Sequence, residues 1–322
     1  MTCTLRISLA IAALAFSVAV RAEDYPTRAI RIFVPAAPGG VTDIAARVIG
    51  QKLSEAWGQQ VIIENRPGAG GSIGVSVAAK AAPDGYVLLM TTNGEMTINP
   101  LVYPKLQYQP LQDFAPIVMA TMTPLMWVAN SESPIKNVTD LIATAKSRPG
   151  ALSWASPGTG STNHLTGEWF AAEAGIKLVH VPYKGGAPAA AAIAGGEVPI
   201  GLVAISSAQP YLKSGRMRVL ALTTAKRAAI APDWPTVAEA GVKNFDASIW
   251  VGLFAPAAVP REVILKVNRE VNRALQSSDL KMRFASFGAE PLGGTPEQLM
   301  TRMKEDSAIF ARVVQQAKIK LD

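Results

Sequence analysis

The sequence predicts an α/β protein of two lobes, with a ligand cleft between them and two hinge crossings. Three observations lead there. Short apolar runs alternate with helical periods, the pattern of a largely parallel sheet. A long extended apolar stretch, Ala115 to Ala129, interrupts that alternation once, after which it begins again. The chain then closes in three helices with no further strand-helix block. Two blocks of this size suit two lobes better than one sheet.

The first 22 residues read as an address. Arg6 precedes a fourteen-residue apolar run, Ile7 to Val20, and Val20-Arg21-Ala22 places small residues at the −3 and −1 positions of a cleavage site. The run is shorter than the roughly 20 residues of a spanning helix, and acidic Glu23 and Asp24 follow it. Residues 1–22 are therefore expected to be a signal peptide cleaved after Ala22, with the mature protein in the periplasm. The single cysteine, Cys3, lies inside that leader, so disulfides and cysteine-bound metals are not expected. Without Arg6 and Arg21 the chain keeps 29 basic against 24 acidic residues, a net charge of +5. These charges are dispersed. A mildly cationic surface suits anionic small molecules, whereas nucleic acid would call for clustered basic residues with interleaved aromatics.

In order along the chain, Ala29–Val34 reads as a first strand, broken by Pro35 to Gly40. Val41–Trp57 follows with apolar residues at helical spacing. Strands are expected at 61–63 and 86–91 with a small-residue helix near 73–82 between them. Pro124 is expected to break the extended stretch. A helix at 138–147 takes Asn137 as its N-cap and Asp140 in its first turn. The alternation then resumes, with strands at 152–155, 178–181, 200–203 and 218–223. Helices fall between them at 161–174, 187–194 and 208–214. A strand at 248–254 and helices near 261–276, 279–287 and 296–317 end the chain. The economical arrangement is discontinuous: residues 23–124 with 230–322 form lobe 1 and residues 125–229 form lobe 2. The crossings fall near Pro124–Asn130 and Thr223–Arg227.

Parallel α/β sheets bind ligands beyond the carboxyl ends of their strands, and two loops stand out there. In the first, Pro35 to Asp43, the glycines Gly39 and Gly40 let backbone N–H groups approach a ligand at a helix start, which suits a carboxylate. Ala37 belongs to this loop, Thr42 offers a hydroxyl, and Asp43 either meets a ligand donor or orders the loop. A plain Pro/Gly turn explains the same residues equally well. In the second loop, Ser156 to His164, the residues Ser156, Gly160, Ser161, Thr162 and His164 crowd donors into one mouth. The lysine of a P-loop is absent there. Thr92, Asn93, Tyr183 and Ser206 follow other strands and complete the expected site. Structural roles for Tyr183 and for the in-strand His180 are at least as common.

Catalytic readings fare worse. No Gly-x-Ser-x-Gly elbow is present. Ser161 and His164 sit three apart on one helix start, without a third group to orient them. The glycines of Gly68 to Gly74 have the wrong spacing for a dinucleotide fingerprint. Two histidines make a histidine metal site improbable. No cofactor is expected.

Many short strings occur in one order: Tyr25-Pro26, Pro38-Gly39-Gly40 with Asp43 and Ala46-Arg47, Glu64 to Gly71, Pro83 to Tyr86, Ile98-Asn99-Pro100 and Asp113 to Pro116. Gly158 to Glu168, Val181 to Gly185, Pro232 to Gly241, Gly252 to Pro256 and Gly288 to Pro291 continue the series. Together they resemble the receptor family of tripartite tricarboxylate transporters, also called Bug proteins, over nearly the whole mature chain. The resemblance implies a two-lobe, periplasmic-binding-protein-like fold (type II-like) that closes over a small carboxylate, such as a di- or tricarboxylate or an aromatic acid. It places that carboxylate between the 38–43 and 160–164 loops. It implies two integral membrane transporter subunits as partners for a monomeric receptor that is not an enzyme. A carboxylate-sensing module for a membrane kinase is the alternative, and a periplasmic hydrolase a more distant one. Where the family often has Asp and polar residues, this chain has Pro199 and Val203-Ala204-Ile205, so the far end of the ligand is expected to be less polar.

Overall fold

The computed structural model describes residues 25–319, and the leader assigned to residues 1–22 lies outside them. Ten strands form the frame: β1 (Ile30–Val34), β2 (Val61–Asn65), β3 (Val87–Thr92), β4 (Phe114–Asn130), β5 (Ser153–Ser156), β6 (Val179–Pro182), β7 (Ile200–Ala204), β8 (Met217–Leu222), β9 (Ser248–Pro256) and β10 (Glu290–Gly293). The longer helices are α1 (Val41–Trp57), α2 (Ser72–Ala79), α3 (Val138–Ser147), α4 (Thr162–Ala174), α5 (Gly186–Ala194), α6 (Ile205–Lys213), α7 (Arg261–Leu275), α8 (Ser278–Ser286) and α9 (Pro296–Ala317). Their periods come from the apolar spacing. Asn137 caps α3 as expected, its side chain accepting the Asp140 N–H.

The strands run β2-β1-β3-β9-β4-β7-β5-β6, with β10 and β8 also paired to β4. β1, β2 and β3 are mutually parallel, as are β5, β6 and β7. β4 joins the two sets. Its first part, Phe114 to Pro124, pairs antiparallel with β9, and its last part, Leu125 to Asn130, pairs with β7 and β8. Pro124 therefore does not break the strand. Its missing N–H falls where β4 changes partners, so no continuous ladder is interrupted. β10, which follows Gly288, was not anticipated in the sequence; its four residues carry no alternating pattern.

Each set of strands has cores on its faces. One contains Ile32, Ile49, Leu88, Val267 and Phe284, and on the other face of that sheet lie Phe33, Leu89, Trp250, Phe254 and Leu299. Around the second set, Trp127, Trp154, Phe170 and Phe245 form one cluster, and Met126, Ile193, Val203 and Leu222 another. α9 takes part on both sides of the crossing: Leu299 and Met303 pack with Trp250, while Phe310 and Val313 pack in the cluster of Trp127.

The two crossings, already paired where Pro124 lies opposite Ser248, are tied further by Thr223. The fully buried Thr223 donates its hydroxyl to the carbonyls of Leu125, at 3.1 Å, and Ala247, at 2.7 Å. Its backbone also bonds both segments. Thr223→Val keeps the shape and removes the hydroxyl, so urea unfolding should show a loss of about 1–3 kcal/mol. A loss within error would mean that the tie does not matter.

Candidate functional site

Strand directions place the site. β9 runs antiparallel to β3 and to the first part of β4, with Thr92 opposite Val251 and Pro124 opposite Ser248. The carboxyl end of β3 therefore points at the change of partner in β4. β7 reaches the same line from the other side, with Ala204 opposite Leu125. The carboxyl ends of β1, β2 and β3 thus face those of β5, β6 and β7 across Pro124 and Ser248. The loops after these six strands therefore gather from both sides along one line, and they are the two walls of the candidate site.

The first wall is built on Asp43, which is 2% exposed. Its Oδ2 accepts the Gly39 N–H at 2.9 Å and Arg47 Nε at 3.0 Å, and its Oδ1 accepts Asn65 Nδ2 at 3.0 Å and pairs with Arg47 at 2.9 Å. Asn65 also holds the Ala36 carbonyl. Burial would raise this carboxyl, but the donors from Arg47, Gly39 and Asn65 leave it below the usual carboxylate range. Of the two roles left open for Asp43, the geometry gives it loop ordering, because both oxygens are engaged by the chain. Ala37, Gly39 and Gly40 are exposed at the rim, and Gly39 has φ +87°, a left-handed conformation that glycine adopts freely. Gly40 begins α1 without a side-chain cap, so the helix start presents backbone donors beside the buried Thr42.

The second wall is ordered by histidines. His164 Nδ1 accepts the Gly160 N–H at 3.1 Å, so the ring is turned into its own loop. Ser161 caps α4, accepting the His164 N–H at 3.1 Å and donating to the Gly158 carbonyl at 2.7 Å. His180 stacks on His164 with ring centroids 3.8 Å apart and meets Ser156 Oγ through Nε2 at 2.6 Å. Trp154 lies against the pair. Burial, with the neighbouring His180, lowers His164 to about 3, and burial lowers His180 to about 4. The sequence places these two histidines sixteen residues apart and gives no sign of the stack. Ser156 is wholly buried, so its contact with His180 offers no nucleophile to a substrate. Among the described residues no group of three or more His, Cys, Asp or Glu is arranged to hold a metal.

The two walls meet at Asn93 and Thr162. Thr162 Oγ1 donates to Asn93 Oδ1 at 3.4 Å, and Asn93 Nδ2 donates to the Ser248 carbonyl at 2.9 Å. Asn93 thus links β3, the start of β9 and the N-terminus of α4. Its turn is held by Glu95, whose Oε2 accepts the Thr92 N–H at 3.0 Å and the hydroxyls of Thr91 and Thr92. Burial pushes that carboxyl up against these bonds. The spacing Thr92-x-x-Glu95 is a capping-box pattern that could have flagged Glu95 in the sequence.

Other expected residues fall differently. Tyr183 is half-buried against the cluster of Met126 and Ile193, and its hydroxyl pairs with Glu197. Ser206 is exposed in the first turn of α6, where Gly288 approaches Ile205 and the Ser206 N–H. Pro199 precedes β7 and its carbonyl accepts the Asn130 N–H. This is the end of the strand remote from the cleft, so Pro199 cannot border a ligand, and only Ala204 and Ile205 remain of that expectation.

The histidine pair yields a pH prediction. Below about pH 6.5 the unfolded chain takes up protons that the folded imidazoles refuse until about pH 4 and about pH 3. Stability should therefore fall with pH in that window, by about 1.4 kcal/mol per unit for each histidine that stays neutral. His164→Gln keeps an acceptor for Gly160 and should flatten the fall measured by urea unfolding between pH 6.5 and 4. An unchanged slope would dismiss the assignment.

No helix among the described residues is long and apolar enough to cross a membrane. The model of the tripartite tricarboxylate transporter family receptor matches residues 45–319. BugT of Bordetella pertussis is 35% identical over 316 residues, covering 98% of this chain and 97% of that protein. The structure of R. palustris Rpa4515 with adipate has 36% identity and a TM-score of 0.80, covering 92% of this chain and 99% of that one. MatC from Rhodopseudomonas palustris with bound malate has 32% identity and a TM-score of 0.75, covering 90% and 100%. On these matches the chain belongs to the tripartite tricarboxylate transporter receptor family, which consists of periplasmic solute-binding receptors rather than enzymes.

Proposed function

We propose that this receptor captures a small carboxylate, a di- or tricarboxylate or an aromatic acid, in the cleft between the two loop walls. It then hands the ligand to the integral membrane subunits of a tripartite tricarboxylate-type secondary transporter. One observation carries the reading: the uncapped start of α1 and the Thr162 end of α4 stand on facing sheet edges joined by Asn93. Helix starts present N–H donors and partial positive charge, which suit a carboxylate. The adipate and malate bound by the two R. palustris relatives support the ligand class. The exported form begins at Glu23.

The lobes of this reading are residues 23–124 with 248–322, and residues 125–247. The second lobe is thereby extended from 229, because Val237, Val242, Phe245 and Ala247 pack in the cluster of Trp127. The rim residues Ala37, Gly39, Gly40 and Thr42 act from the first lobe, with Thr92 and Asn93. Ser161, Thr162 and Ser206 act from the second. Asp43, Ser156, Gly160 and His164 hold the loops in shape, and Tyr183 walls the second lobe.

Ligand binding closes the cleft because only then does one carboxylate meet both walls. Each charge-assisted hydrogen bond contributes about 1.5–3 kcal/mol, and micromolar capture needs about 8 kcal/mol, so a handful of such bonds suffices after ordering costs.

A thermal-shift screen of residues 23–322 against a carboxylate panel that includes adipate and malate, followed by calorimetry, is the test. A true ligand at a hundred times its Kd should add about 2.7 kcal/mol of stability. Thr162→Val should weaken it at least tenfold, and X-ray scattering should show compaction. No response from folded, ligand-free protein to any carboxylate would overturn the reading.

A further inference from the structure

A second concave site lies outside the cleft. It is a cavity of about 710 Å³ between α2 and the segment 103–107. Its walls are largely apolar. Ile73 and Val77, one turn apart on α2, are 52% and 38% exposed, while the opposite face of the same helix buries Val75 and Ala78. Leu106 and the Tyr103 ring form the other wall. Tyr103 is seated over Gly70, where a Cβ would come within 2.7 Å of its hydroxyl. Lys80, one turn beyond Val77, and Lys105 stand at the margin, and among the described residues no acidic side chain lines the cavity.

An isolated exposed isoleucine or valine is ordinary, but two on one helix stripe facing a second apolar wall mark a binding surface. The volume falls within the range of small-molecule sites. Two ammonium groups beside an apolar trough with no carboxylate favour a ligand with one negative end and a hydrocarbon body. A short dicarboxylate, which fits the cleft reading, would leave its second charge on apolar walls.

We infer that the α2 trough binds a single anionic amphiphile, an alkyl carboxylate of medium chain length, its chain along Ile73, Val77 and Leu106 and its head at Lys80 and Lys105. This site is independent of the carboxylate cleft, and the inference does not rest on the proposed transport role.

Calorimetric titration of residues 23–322 with decanoate, below its micelle concentration, tests it. Saturable binding is expected, weakened at least tenfold by Ile73→Glu and by the double variant Lys80→Glu with Lys105→Glu, and unchanged by Thr162→Val. Ile73, Lys80 and Lys105 are exposed, Thr162 is buried and keeps its shape in the valine variant, and circular dichroism checks the folding of all three proteins. No saturable binding would overturn the inference. Binding lost in Thr162→Val but kept in Ile73→Glu would make decanoate a cleft ligand and overturn it equally. So would an Ile73→Glu-sensitive association with phosphatidylglycerol vesicles without binding of free decanoate, because the surface would then face a membrane.

Discussion

The structure depends on β4 staying a single strand across a change of partners. Seventeen residues run from Phe114 to Asn130, paired first with β9 and then with β7 and β8. Because β3 and β7 both run antiparallel to their links with this spine, the carboxyl ends of two parallel sets of strands are forced to face each other. A parallel sheet gathers its loops and helix starts at one edge. Two such edges, opposed, make a cleft lined with backbone donors on both sides. No individual residue has to create it; the direction of travel does.

What individual residues do is keep the loops open to a ligand. A glycine-bearing loop is entropically loose, and a site built from it would lose affinity to ordering. On one wall Asp43 removes that freedom by bonding Gly39, Asn65 and Arg47 at once. On the other, His164 holds Gly160 while Ser161 holds Gly158. These residues look in the sequence like ligand donors because they are polar and sit in the right loops. Asp43 and His164 are buried and engaged within their own loops, and Ser161 is engaged as a helix cap, while Ala37, Gly39 and Gly40 stay exposed at the rim. Neutrality of the histidines follows from the same burial, since a charged imidazole stacked on another would be doubly unfavourable.

Much of the fold was legible because periodicity reports it. Val41–Trp57, Val138–Ser147 and Pro296–Ala317 fall on their expected spans, and the loops at 35–43 and 156–164 lie on the cleft edge. The expectation at Pro124 failed because a local rule, that proline ends a strand, ignores where the strand's neighbours end. The short Glu290–Gly293 strand and the turn from Gly94 were hidden, since four or five residues carry no period. Pro199 was misplaced for a different reason: its distance in sequence from Ala204 is small, yet the strand between them carries it to the other end of the sheet. Pairings such as His164 with His180 or Asn93 with Thr162 are tertiary facts that spacing does not encode.

The two sets of strands are also joined by α9. Besides the two strand crossings tied at Thr223, this helix packs on both sides of the boundary. It is fixed near the middle, where Asp306 accepts the Trp250 Nε1–H at 2.7 Å and Arg302 pairs with Asp306 at 2.9 Å and Asp246 at 3.0 Å. Asp246 and Trp250 flank the return crossing itself. The charge network, buried at Asp306 and open at Asp246, therefore sits beside the return crossing. Its value there is geometric: a paired buried charge contributes little net stability but cannot be pulled apart cheaply. The two sets of strands are thus joined by a packed helix as well as by β4, and both fix where the loop walls stand relative to one another.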